Sequence, residues 1–298
     1  MLTPDSAARS AYPWLESLEE AMTGVELPMS GSRLAVSIDS SGDDRSSKYW
    51  LVAILAMDLD NSLEWVDEAA RIRRDHLPDG REMAYKSLSD CHRQRALGPL
   101  LSAAGGISGA FVVFALDKRI RHLCATEHSA RRLRDSGTLK AQWKPLDFER
   151  MSRIALLASC VVARFGTADQ AILWVIDQDS AVANTDRHDD FCRMATTFLA
   201  MLTTTSFGPA GICTTAVDVD GSGEREVAAI PDLAAGAWRE ALLSLRDRGS
   251  TPSPGELCGY TGGKARKILD WFMDGRTSLQ KLFVRFESLA SNRIRVHW

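Results

Sequence analysis

Four acids stand where a chain can use them for chemistry. Asp39 ends the alternating, β-rich run Arg33–Asp39. Glu82 follows the break at Pro78-Asp79-Gly80 and opens Met83-Ala84-Tyr85-Lys86. Asp177 ends the continuous apolar run Ala171–Asp177, and Asp232 follows Ile230-Pro231. A carboxylate that terminates a central strand points into the crevice beyond the strand ends, where ligands of open α/β sheets bind. Several carboxylates gathered there repel one another, and divalent cations relieve the repulsion. Mg²⁺ takes oxygen ligands and keeps coordination positions for waters and substrate phosphates. Two such ions roughly 4 Å apart hold the attacking and leaving oxygens of a phosphodiester. Each acid also has a plainer job on offer. Asp39 can start a turn through its side chain. Asp232 can sit in a helix's first turn, favoured by the macrodipole. Asp179 competes with Asp177, and Glu64, Glu68 and Asp79 lie close to Glu82.

The elements that must position these acids are legible from periodicity. Arg33–Asp39 and Tyr49–Met57, separated by Ser40-Ser41-Gly42-Asp43-Asp44, read as an antiparallel hairpin. Ser108–Asp117, Ala171–Asp177 and Gly211–Val219 read as three further strands. Of these, Ala171–Asp177 is apolar throughout, as in a strand buried on both faces. Helical spacing marks Leu63–His76, Ser89–Ala104 (with Ser89 as N-cap), Asp147–Phe165, His188–Thr204 and Ile230–Leu245. Pro231 suits the first turn of the last of these, where its missing N–H is harmless. Residues 1–30 read as a loose start and a short packed helix around Trp14, Leu15, Leu18 and Met22. Ser250–Gly263 is a Pro/Gly/Ser-rich loop, and the tail to Trp298 reads as helix with an edge strand.

Charge is unevenly spread. The 298 residues carry 36 Lys and Arg against 39 Asp and Glu, a net charge of −3. That excludes a strongly basic nucleic-acid coat, although local basic faces remain. One lies in Lys118–Lys144, with Lys118, Arg119, Arg121, Arg131, Arg132, Arg134, Lys140 and Lys144 against Glu127 and Asp135. Trp143, between Lys140 and Lys144, can stack a base while the cations meet phosphates, or can pack in the core. Lys86 adds a cation beside Glu82. The C-terminal tail from Lys264 holds eight bases and three acids.

With 45% hydrophobic residues, the chain can bury a sizeable core. Its longest apolar runs are far short of the roughly 20 residues that span a bilayer. The start lacks a basic segment followed by an apolar run, which predicts no secretory signal. Six cysteines stand at 91, 124, 160, 192, 213 and 258, none in a Cys-x-x-Cys pair. They read as reduced thiols of a cytoplasmic protein, not a zinc site. Gly262-Gly263-Lys264-Ala265 is not a phosphate loop, since the first Gly and the final hydroxyl are missing. No Gly-x-Ser-x-Gly occurs.

The ordered motifs resemble a known family. Ile38-Asp39-Ser40-Ser41-Gly42, Glu82 with Lys86, Phe114-Ala115-Leu116-Asp117-Lys118, Val175-Ile176-Asp177 and Ile230-Pro231-Asp232-Leu233-Ala234-Ala235-Gly236 carry the likeness. Together they are similar to the bacterial domain of unknown function 3800, placed among RNase-H-like proteins. The resemblance covers roughly residues 33–245. It implies an α/β domain with an RNase-H-like mixed five-stranded sheet flanked by helices. The expected layout is an N-terminal helical segment (1–30), the domain (31–248) with a basic helical insertion at about 118–166, and a helical C-terminal extension (249–298). It also implies a metal-dependent nuclease or strand-transfer enzyme acting on DNA or RNA with two Mg²⁺ or Mn²⁺ ions. Asp39, Asp177 and Asp232 would hold the ions, Glu82 would bind one ion or orient water, and Lys118 would face a substrate phosphate.

Two residues depart from the family pattern. Ser40 stands where it usually has Glu, and Pro231 precedes Asp232 where it usually has Ala. The first change favours an alternative reading: a non-catalytic nucleic-acid-binding or regulatory module working with a protein partner or as a homo-oligomer.

Overall fold

The two runs read as a hairpin lie side by side within the sheet. β1 (Arg33–Ser41) pairs antiparallel with β2 (Tyr49–Asp58), from Leu34 opposite Asp58 to Ser41 opposite Leu51. The computed structural model describes all residues except 1, 3–9, 26–28, 78, 122, 124–134, 136, 177–183, 215–223, 245–252, 260 and 290–293. β2 continues antiparallel to β3 (Gly109–Asp117), and every residue of both strands is buried. On its other side β1 runs parallel to β4 (Ala171–Ile176), which runs parallel to β5 (Ala210–Thr214). The C-terminal segment adds β6 (Gln280–Ser288), parallel to β3, and β7 (Ile294–His297), antiparallel to β6. The result is a seven-stranded mixed sheet in the order β5-β4-β1-β2-β3-β6-β7. The five expected strands are contiguous within it. The tail joins the sheet as well as supplying helix, because Phe283, Val284 and Phe286 have apolar layers to enter on both faces.

Helices cover both faces. Alternate residues of a strand face opposite ways, so Leu34, Val36 and Ile38 of β1 enter one core and Ala35 enters the other. The first core takes α4 (Pro145–Phe165), α5 (Thr185–Leu202) and α1 (Leu15–Met22). α4 has Pro145 in its first turn and is buried almost without interruption from Met151 to Phe165. The Asn184 side chain accepts a 3.0 Å bond from the Arg187 N–H and caps α5. The second core takes α2 (Leu63–His76), α3 (Cys91–Ala104), α6 (Glu224–Leu243), α7 (Pro254–Gly259) and α8 (Gly263–Met273). A Trp238–Phe283 stack, with ring centroids 4.0 Å apart, ties α6 to β6. Such a pair contributes about 1 kcal/mol beyond its buried area.

Three local expectations change. The N-cap of α3 is Asp90, not Ser89, since its carboxylate accepts from the His92 N–H at 3.0 Å. β1 continues two residues past Asp39, because Ser40 and Ser41 still find β2 partners in Val52 and Leu51. α6 begins at Glu224, six residues before the expected start, so Pro231 and Asp232 lie within the helix. Val227, Ala229 and Ile230 are buried, and that apolar face stabilises the additional turns despite the missing Pro231 N–H.

Candidate functional site at the end of the central strand

Asp39 shares strand parity with Ala35, so it lies on the face covered by α6, and it is half-buried. On one side it opposes Ala53 of β2. On the other side the β1–β4 pairing described ends one residue earlier, at Ile38 opposite Ile176. Asp177, the next residue after Ile176 in the chain, lies outside the described residues.

Asp232 lies in the middle of α6, a helix that packs along β1. Its interior position removes the first-turn explanation for an acid there, since the macrodipole effect falls off within a turn. Its Oδ2 accepts a 2.6 Å hydrogen bond from the Tyr85 N–H. Tyr85 opens a short 3₁₀ turn, Tyr85–Ser87, that lies flat on α6. Only glycine at 236 permits this approach: a Cβ there would stand 2.2 Å from Tyr85 Cγ. One turn further on, the Tyr85 hydroxyl donates to Glu240. Burial, and then the Glu240 carboxylate, push the phenol well above its ordinary range. Lys264 Nζ lies 4.3 Å from the Tyr85 ring centroid and donates to the Tyr85 carbonyl at 2.9 Å. Asp232, Gly236 and Glu240, spaced by four, thus make one stripe of α6 that seats Tyr85.

Glu82 has arginine partners of its own. Its side chain is 58% exposed and pairs with Arg225 Nε at 3.5 Å, while its carbonyl accepts from Arg93 Nε at 2.6 Å. Arg225 precedes Asp232 by seven residues, about 10 Å along the helix. Among the described residues, no group of three or more His, Cys, Asp or Glu side chains is placed to hold a metal ion. Asp39, Glu82 and Asp232 therefore make no such set by themselves. The donors present are hard carboxylate oxygens, which suit Mg²⁺ or Mn²⁺. Mg²⁺ is commonly held by only one or two carboxylates plus waters and phosphates.

The hairpin loop after β1 is pinned from both sheet faces, a feature the sequence did not signal. Arg150 of α4 pairs with Asp43 at 2.6 Å and donates to Ser40 Oγ at 2.9 Å. Arg239 of α6 pairs with Asp44 at 2.6 Å. Lys118, just past β3, donates to the Asp44 carbonyl. Gly42 starts the loop at φ 90°, where a Cβ would also meet the Tyr49 carbonyl at 2.7 Å. The Ser46 hydroxyl and N–H, joined by Arg239, hold the Asp44 carboxyl far below the usual carboxylate range.

The remaining basic candidates scatter. Lys86 and Lys144 are exposed. Arg119 folds back onto Asp117, and the Arg121 carbonyl accepts from Arg153. Lys140 pairs with Asp189 at 2.5 Å. Trp143 takes its packing alternative and is no stacking platform. It is 6% exposed, donates from Nε1 to buried Asp190 at 2.8 Å, and carries the Arg187 guanidinium 4.8 Å from its ring centroid. Arg131 and Arg132 lie outside the described residues.

No family model matches the chain, and no curated protein matches it. The narrower likeness to domain of unknown function 3800 rests on its quoted motifs alone. Among solved structures, ribonuclease H2 from Pyrococcus horikoshii is similar over 81% of this chain and 100% of its own, at 12% identity and a TM-score of 0.35. Bst-RNase HIII in complex with Mn²⁺ is similar over 83% of this chain and 72% of its own, at 15% identity and a TM-score of 0.30. A mutant form of Bst-RNase HIII is similar over 80% and 65%, at 16% identity and a TM-score of 0.31. No helix among the described residues is long and apolar enough to cross a membrane.

Proposed function

We propose that this chain is an RNase-H-like, metal-dependent phosphodiesterase acting on DNA or RNA, with Asp39, Asp232 and Asp177 as its carboxylate set. One observation carries the reading: Asp39, on the central strand, faces the helix that presents Asp232 from its interior. The β1–β4 register supports adding Asp177, the residue that follows Asp39's nearest paired neighbour across the strands. Glu82, exposed and paired with Arg225, is left outside the set. Bound Mg²⁺ or Mn²⁺ would supply a lowered pKa for the attacking oxygen and charge stabilisation for the departing one. The chain's own part is positional. The Tyr85 N–H fixes the Asp232 carboxylate, and β2 pairing fixes Asp39.

The test is cleavage of single-stranded, duplex and hybrid substrates with Mg²⁺ or Mn²⁺. Asp39→Asn and Asp232→Asn should each lose about 100-fold or more, the equivalent of roughly 3 kcal/mol of transition-state stabilisation. Glu82→Gln should lose far less. Cleavage by Asp39→Asn at the wild-type rate would show that the activity resides elsewhere.

A second reading, a non-catalytic nucleic-acid-binding or regulatory module, is favoured by Ser40. This hydroxyl stands where the resembled family has an acid, and Arg150 engages it. That reading expects no metal uptake by calorimetry and nucleic-acid binding unchanged in Asp39→Asn.

A further inference from the structure

Around the hairpin loop three cations arrive from three separate elements: Arg150 from α4, Arg239 from α6 and Lys118 from the end of β3. They come from both faces of the sheet onto one short stretch, immediately beyond Asp39. The two arginines pair with half-exposed acids, Asp43 at 53% and Asp44 at 46% side-chain exposure, while Lys118 donates to the Asp44 backbone carbonyl. Ion pairs this exposed contribute little net stability, so several phosphates arriving together can exchange for the carboxylates. Guanidinium groups bind phosphate through parallel charge-assisted bonds that a single monodentate carboxylate contact does not match.

We propose that Arg150, Arg239 and Lys118 form a phosphate-binding subsite for a nucleic-acid backbone, and that Asp43 and Asp44 are its built-in counter-anions, displaced when backbone phosphates arrive. This deepens the phosphodiesterase reading and rests on it for the identity of the ligand. The acidic loop also sets a threshold. An isolated phosphate must compete with carboxylates tethered at high effective concentration, whereas a polymer offers several phosphates at once. The arrangement therefore selects chains over mononucleotides.

The experiment is run in EDTA, so that neither metal nor cleavage enters. A 5′-fluorescein-labelled 20-nucleotide single strand is titrated by anisotropy, and inorganic tripolyphosphate by calorimetry. In Asp43→Asn/Asp44→Asn the side-chain amide oxygen still accepts from Ser46, so the turn is retained while two negative charges are lost. This double variant should bind the oligonucleotide about tenfold more tightly than wild type. Adding Arg150→Gln and Arg239→Gln should abolish the gain. An unchanged oligonucleotide isotherm in a double variant that melts like wild type overturns the proposal. A gain for tripolyphosphate without one for the oligonucleotide overturns the backbone assignment. Should the double variant melt early, Arg239→Gln alone decides: its oligonucleotide affinity must fall at low salt, and wild-type affinity overturns the proposal. Asp39 and Asp232 are untouched throughout. Failure here therefore leaves metal-dependent cleavage standing, and absence of cleavage with Mn²⁺ leaves these isotherms readable.

Discussion

Replacing Gly236 with alanine puts two opposing effects in direct competition. In an open helix interior the change stabilises by about 1 kcal/mol, because alanine is the better helix former. Here the new methyl group would stand 2.2 Å from Tyr85 Cγ, 2.4 Å from Cδ1 and 2.6 Å from Cβ. The ring and the backbone behind it must both retreat, since the clash includes Cβ as well as the rotatable ring. Overpacking of this kind costs about 1–3 kcal/mol. Retreat also breaks the 2.6 Å bond from the Tyr85 N–H to Asp232, a hydrogen bond to a charged group worth about 1.5–3 kcal/mol. Net destabilisation is thus about 1.5–5 kcal/mol, centred near 3, despite the propensity gain. Urea denaturation gives the value directly, provided the m-value is unchanged. A double-mutant cycle with Tyr85→Gly removes the obstacle and should recover most of the Gly236→Ala penalty. If Gly236→Ala proves as stable as wild type, or more stable, Tyr85 does not lie on α6 and the support described for Asp232 is wrong.

Two further outcomes follow from buried and half-buried polar groups. Asp190 is fully buried and accepts from the Lys140 N–H (2.8 Å), the Ala141 N–H (2.9 Å) and Trp143 Nε1 (2.8 Å). Asp190→Ala strands all three donors and should cost about 3–5 kcal/mol in thermal or urea unfolding, with Trp143 emission shifting red; a loss under about 1 kcal/mol would contradict this latch. Lys281 lies 5.0 Å from the Trp271 ring centroid and donates to Thr277. Burial pushes its amino group down from 10.5 to about 8, with Asp274 offsetting part of that. The folded protein then binds fewer protons than the unfolded chain between pH 8 and 10. Lys281 therefore contributes a rise in stability across that window, and Lys281→Met should flatten the wild-type melting profile there.

The strands were legible because their signal is local. Nine consecutive apolar residues in β2, seven in β3 and six in β4 admit few structures other than buried strands. The hairpin was equally clear from alternation and its Ser-Ser-Gly-Asp-Asp turn. Asp39 could be singled out because a carboxylate at the end of such a run is chemically conspicuous. Asp232 was found but misplaced. Proline reads as a helix start, and only the apolar face of Val227–Ile230 packing on the sheet carries α6 back to Glu224. Trp143 among lysines looked like a stacking surface until buried Asp190, 47 residues away in sequence, supplied its partner. Arg150 and Arg239 left no trace, since an arginine within a helix has the same local pattern whether it meets solvent or a distant loop.

The amino-acid sequence by itself determined the alternation of strands and helices, the central hairpin and the chemical type of the acids, because periodicity and side-chain chemistry are carried by neighbouring residues. What surrounds each described acid was decided only by the tertiary structure. It laid α6 along β1, seated Tyr85 over Gly236, paired Glu82 with Arg225 and brought Arg150 and Arg239 from opposite faces to one loop. Such convergence depends on layer packing between segments up to about two hundred residues apart, which no local pattern encodes.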